Sequence, residues 1–238
     1  MRLILILFIA TMCASEGDDK ADKALEAARK LAEEGKYNEA LGKHVWYHEH
    51  ALEICESHYG VRLSFALSDW CELGKKFPLA LNKLKEVRDR KTALLLNGNG
   101  DREIFHDVES INGVLEEPDL TVKLFKHLDA VHPELAEDVS DLVIDVLASS
   151  KEHVLARKYL GDPMEELAWA TQRYKEGMQW AQNQEGTHSR RAFEHLFEKR
   201  TILIISVLSA SGEFGTARNI QAKALEVMSS ELVEKALE

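Results

Sequence analysis

Apolar side chains along this chain recur at the three- and four-residue spacing of an amphipathic helix, and no stretch sustains the alternation of a strand. Ala24, Leu25, Ala28, Leu31 and Ala32 predict a first helix over 18–34. Asp18 and Asp19 fall in its first turn, where negative charge meets the positive end of the helix dipole. A second helix is expected over 38–58, with Ala40, Leu41, His44, Tyr47, His48, Ala51, Leu52 and Cys55 along its inward stripe. Gly60 should end that pattern. Leu63, Ala66, Leu67 and Trp70 then carry a third helix from Arg62 to Leu73. Pro78 stands in the first turn of a fourth, where its missing N–H is not needed, and Leu81, Leu84, Val87 and Ala93 continue it to Leu96.

After the loop Asn97–Asp101, helices are expected over 104–115 and 120–131. Another starts at Pro133, with Leu135, Val139, Leu142, Val143 and Leu147 inward, and a short one runs from Val154 to Leu160. Asp162 caps, and Pro163 opens, the first of two long helices over 164–184 and 189–210. The last passes through Ala217, Ile220, Ala224, Leu225 and Met228. The fold class expected is all-α, built from consecutive antiparallel helix pairs.

The turns share a pattern. Gly35-Lys36-Tyr37-Asn38-Glu39-Ala40 places a helix-ending glycine, then an aromatic, then a small residue that opens the next helix. Gly74 to Ala80 and Gly212 to Ala217, with Phe77 and Phe214, read the same way. Glycine takes the left-handed conformation that closes a helix, and alanine lets the second helix approach the first. Aligning the opening residues gives Ala40, Ala80, Thr121, Ala156 and Ala217, at spacings of 40, 41, 35 and 61 residues.

On these residues the chain resembles a tetratricopeptide-repeat protein, a solenoid whose usual period is about 34 residues. The last unit matches best, through Thr201–Leu208, Gly212, Phe214, Ala217, Ala224 and Leu225. The first matches at Ala28, Gly35, Tyr37 and Ala40, and the third at Phe125 and Pro133. The better-formed units cover about 18–58, 62–97, 101–132 and 198–229, within a repeat domain over 16–238. The resemblance implies an α-α superhelix whose first helices line a groove for peptides or proteins. It implies no catalytic residues and no cofactor. By the family pattern Arg62, Asp69 and Glu72 would line that groove, with Arg29 and Glu33 at the matching places in the first unit. A non-enzymatic scaffold binding a protein or peptide is the expected function.

Charge narrows the partners. The chain has 41 acidic against 30 basic residues, a net charge of −11, and its basic residues are scattered. Such a surface repels a phosphate backbone, so nucleic acid is not an expected partner. The mixed run Lys85–Lys91 reads as a solvated helix face, and Ser189-Arg190-Arg191 as ordinary surface. Glu116 and Glu117 lie in a turn. No phosphate-cradling glycine loop, nucleophile elbow or Cys-x-x-Cys occurs.

The N-terminus is set apart. Arg2 precedes the apolar run Leu3–Ala10, followed by Thr11-Met12-Cys13-Ala14-Ser15. That is the layout of a secretory signal peptide over 1–15, cut after Ser15 or Ala14, and it predicts a secreted or periplasmic protein. Acylation of Cys13 and an uncleaved anchor are the alternatives. No later stretch is apolar enough to cross a membrane. Cys55 and Cys71 remain after cleavage. In an antiparallel pair joined near Gly60, Cys55 would face about residue 66, so both read as small buried hydrophobes.

His44, His48 and His50 form the richest polar cluster of the chain, flanked by Trp46 and Tyr47. His44 and His48 are four apart and could both reach one ligand. Packing on a half-buried stripe is the plainer reading; contact with a partner, or a metal- or small-ligand-binding accessory role with His50, is the alternative.

Overall fold

The computed structural model describes residues 20–182 and 187–237. The expected signal segment, with Cys13, and the charges at Asp18 and Asp19 lie outside them. Every regular element among the described residues is helical. The chain divides into two compact units between Leu135 and Ala136.

In the N-terminal unit α1 covers residues 20–33. It is followed by α2 (Tyr37–Ile54), α3 (Tyr59–Leu63), α4 (Phe65–Lys76), α5 (Pro78–Leu96), α6 (Arg102–Val114) and α7 (Pro118–Val131). Here α4 packs on α5 and α6, α5 on α6 and α7, and α6 on α7. Ala21, Ala24 and Leu25 of α1 share a cluster with Tyr47, Ala51 and Ala66. A second cluster gathers Ala40, Leu67, Trp70, Leu73, Ala80, Leu84, Val87 and Ile111. At its centre the indole of Trp70, 1% exposed, donates to the Ala80 carbonyl at 2.9 Å. α8 (Pro133–Asp138) crosses the boundary between the units. The C-terminal unit continues with α9 (Ser140–Ser149), α10 (His153–Tyr159), α11 (Pro163–Gln182), α12 (Thr187–Ala210), α13 (Phe214–Val227) and α14 (Glu231–Glu234). There α9 packs on α10, and α12 receives α10, α11 and α13.

Five of the turns between helices share one backbone device. At Gly35 the N–H of Lys36 reaches back to Leu31 at 2.9 Å, while the N–H of Gly35 reaches Ala32 at 3.3 Å. This pair of hydrogen bonds closes a helix when its end residue adopts positive φ, and Gly35 has φ of 76°. The same pair of bonds recurs at Gly98, Glu116, Lys151 and Gly212. Glu116 and Lys151 hold φ of 58° and 63° without being glycine. A side chain in that region costs about 1–2 kcal/mol, partly offset by the freedom glycine would add to the unfolded chain. Lys151→Gly is therefore expected to stabilise the C-terminal unit by about 0.5–1 kcal/mol, read as a higher urea midpoint at unchanged slope. A drop in the midpoint would show that the Lys151 side chain matters more than its backbone.

The small residues that open the second helices are all interior: Ala40, Ala80, Ala156 and Ala217 are 0% exposed and Thr121 2%. The bend aromatics behave less uniformly. Tyr37 and Phe77 stack on each other at 6.0 Å, whereas Phe214 is 56% exposed and fills no bend. Gly74 departs from expectation as well, since it lies inside α4 and closes nothing. A Cβ there would come within 2.4 Å of Leu81, so glycine serves the close passage of α5.

The largest correction falls between 54 and 65. α2 ends at Ile54, not near His58, because Cys55 is extended (φ −155°, ψ 117°). Gly60 is helical, and the break before α4 falls at Ser64. The Ser64 hydroxyl donates to the Gly60 carbonyl at 2.6 Å, a back-bond that competes with helix continuation. The helix expected from Arg62 to Leu73 is thus divided between two helices by a break at Ser64. The Pro133 helix is likewise split at Val139, leaving Leu135 and Leu142 half-buried. Cys55 and Cys71 are both half-buried rather than fully interior. No helix of the described residues is long and apolar enough to cross a membrane.

Candidate functional site

Two features of the N-terminal unit gather the residues singled out from the sequence: an outer ridge along α1 and α4, and a polar cluster beneath it.

On α4 the core side is held by Ala66, Leu67, Trp70, Leu73 and Gly74. Helical spacing therefore aligns Phe65, Asp69, Glu72 and Lys76 along one outer flank. Phe65 is 68% exposed, a large apolar side chain left in water beside charged neighbours. From α1, the Arg29 Nε donates to Asp69 Oδ2 at 2.7 Å, joining first helices forty positions apart in the chain. Glu33, one turn beyond Arg29, is exposed. Glu72 is exposed and pairs with Lys75 on its own helix. The ridge thus carries Arg29, Glu33, Asp69 and Glu72, four of the five groove residues expected.

Arg62 is the fifth, and it is elsewhere. It is 2% exposed, donating to the His48 carbonyl at 3.3 Å and facing the Asp107 carboxylate of α6 at 2.6 Å. The breaks at Cys55 and Ser64 carry α3 away from the line of α4, so Arg62 enters the interior rather than lining an outer face. Asp107 is itself fully buried and also holds Lys91 of α5, while Glu103 stands 3.7 Å from Arg62 at the surface. Three helices are joined by one carboxylate. Asp107 was legible as an anomaly, since it shares the inner stripe of α6 with Phe105, Val108 and Ile111. Its partner was not, because nothing local announces where Arg62 turns.

His44 and His48 lie against this cluster, 2% and 4% exposed, both in contact with the Trp70 indole. His44 stacks on it at 6.0 Å, and His48 meets its edge at 6.1 Å. They are more deeply buried than the half-buried stripe expected. Neither ring nitrogen of His48 has a hydrogen-bond partner, nor has Nδ1 of His44. Burial drives both imidazoles down to a pKa of about 4. For His44 the neighbouring Asp69 opposes that shift and Arg29 adds to it; for His48 Asp107 opposes it, and Arg62 and Lys91 add to it. Both rings are accordingly neutral near pH 7. Tyr47, fully buried, bonds His58 Nδ1 through its hydroxyl at 2.8 Å, and burial pushes the phenol up to about 12.

His50 does not join them. Its Nδ1 bonds the Trp46 carbonyl at 2.9 Å and its ring stacks on Trp46 at 5.3 Å. Among the described residues no three His, Cys, Asp or Glu side chains are grouped to hold a metal ion. A second interior network, missed from the sequence, runs through Arg88, Asn112 and Thr121, with Asn112 donating to Thr121 Oγ1 at 3.0 Å. Glu117, expected only as a turn residue, closes it by pairing with Arg88 and with Lys85.

Chemically the ridge offers charge, one exposed phenyl ring and a fixed spacing. The cluster offers rigid placement of three helices. Comparison of the chain with protein families, with curated proteins and with solved structures returns no match.

Proposed function

We propose that the chain is a non-enzymatic scaffold, a tetratricopeptide-like superhelical array, that binds a protein or peptide along the first-helix ridge of α1 and α4. The observation that carries this reading is the ridge itself. Phe65 stands 68% exposed in line with Asp69 and Glu72, and the Arg29–Asp69 bond ties that line to α1. Arg29 pairs with Asp69 and Glu72 with Lys75, while Glu33 and Lys76 stand exposed beside them, so the face suits a partner segment that carries charges of both signs and an apolar pocket for Phe65. The same turn at five of the helix junctions supports the repeat architecture. Export through a cleaved signal at 1–15 belongs to the same proposal and would place the binding outside the cytoplasm.

The test is affinity capture by the immobilised chain from the exported fraction, comparing wild type with Phe65→Ser/Glu72→Lys. The variant should lose at least about tenfold of the specifically recovered partner while circular dichroism and melting stay unchanged. Equal recovery by both proteins would refute the ridge. A second reading, a metal- or small-ligand-binding accessory, draws on the unpartnered nitrogens of His44 and His48. Stoichiometric metal in the same purified sample, lost on His44→Ala/His48→Ala, would favour it instead.

A further inference from the structure

α11 carries a different surface, in the C-terminal unit. Its inner side is Pro163, Leu167, Ala170, Gly177 and Ala181. Rotated about 100° from that side, Trp169, Arg173, Glu176 and Trp180 form one exposed stripe. The two indoles are 58% and 52% exposed. Eleven positions apart, they stand about three turns and roughly 16 Å from each other along the helix. Arg173 lies over the Trp169 ring at 5.5 Å, and Glu176 is held by Gln172 at 2.8 Å, so both charges stay on the stripe. The surface continues onto α12. Trp180 meets Phe193 at 6.1 Å and Arg200 pairs with Glu166. Leu196, 59% exposed, lies between those two positions on the same flank. A run of exposed aromatic and aliphatic side chains this long marks an interface.

The order of residues says what covers it. The stripe is a palindrome about the point between Tyr174 and Lys175: Trp169 mirrors Trp180, and Arg173 mirrors Glu176. A two-fold axis through that point lays α11 antiparallel to α11 of a second copy. Each Trp169 then meets the second copy's Trp180, and each Arg173 the second copy's Glu176. Both aromatic pairs are formed, and both charge pairs are of opposite sign. A parallel arrangement would set like charges together. We infer that the chain self-associates through α11 as an antiparallel, two-fold dimer, its specificity set by reciprocal Arg173–Glu176 pairs. Isologous contacts of this kind require a surface to complement itself, and the stripe does so at each of these four positions.

Sedimentation equilibrium of the full chain over a micromolar concentration series tests this. Wild type should dimerise. Arg173→Glu and Glu176→Arg alone each place like charges across the axis twice, and each should raise the dimer dissociation constant by about a hundredfold or more. The double variant Arg173→Glu/Glu176→Arg restores opposite signs and should return to within about tenfold of wild type. Both changed side chains are exposed, and an unchanged circular dichroism spectrum of each single variant shows that it folds. A wild type that stays monomeric, single reversals that leave the dimer intact, or a double variant that remains monomeric would overturn the proposal. So would a monomer that instead binds anionic phospholipid vesicles through the same tryptophans.

Discussion

Lowering the pH from 7 towards 4 is expected to strip several kcal/mol of stability from the N-terminal unit. His44 and His48 are buried beside Trp70 with pKa values of about 4, against about 6.5 for an exposed imidazole in the unfolded chain. Between those values the unfolded state binds protons that the folded state refuses, so stability falls as pH falls through that window. Above about pH 6.5 both states are neutral and the slope vanishes; below about pH 4 the folded rings take up protons too. Two such groups give a slope of about 2.7 kcal/mol per pH unit in mid-window, and an upper limit of about 7 kcal/mol across it. That is of the order of a whole domain's stability. Carboxylates held low by cations, such as Glu117 beside Lys85, and Glu213 beside Arg157, lose their contribution only at the acid end. The range from pH 6.5 to 5 therefore reports the histidines. Urea midpoints measured across it should fall steeply for wild type and stay nearly level for His44→Leu/His48→Phe. A flat wild-type profile, or an equally steep double variant, would refute the assignment.

Asp107→Ala should be the most damaging single substitution in the same unit. The carboxylate is fully buried and its departure leaves the Arg62 guanidinium, 2% exposed, without its counter-charge. Removing one partner of a buried ion pair typically costs about 3–5 kcal/mol, because the survivor remains desolvated. Lys91 also loses its partner but is nearer the surface and can turn outward. Arg62→Leu is the informative contrast: Asp107 keeps Lys91, so the loss should be about half as large. Adding Arg62→Leu to Asp107→Ala should recover part of the stability, since the uncompensated buried charge is then gone. If Arg62→Leu proves as costly as Asp107→Ala, or the double variant is the sum of the two, the carboxylate is not the joint described.

Much of this was written in local sequence. Helix positions, the left-handed closure at Gly35 and Gly212, and the interior place of Ala40, Ala80, Thr121, Ala156 and Ala217 follow from periodicity and turn chemistry. Those are decided within about one helical turn, by spacing and by φ. The ridge residues Arg29, Glu33, Asp69 and Glu72 were also legible, because a solvent-facing flank is the complement of an apolar stripe.

What tertiary structure alone decided was where polar side chains go once they leave the surface. Arg62 reads as a groove residue until the breaks at Cys55 and Ser64 redirect its helix towards Asp107, a partner forty-five positions away. Gly74 reads as a helix stop until Leu81 is seen to fill the space its missing side chain leaves. His44 and His48 read as part of a half-buried stripe until both rings are found buried against Trp70. In each case the deciding energy is a contact with another helix: burial of polar groups for Arg62 and the histidines, and close packing of the next helix for Gly74. Spacing along one helix carries no information about it.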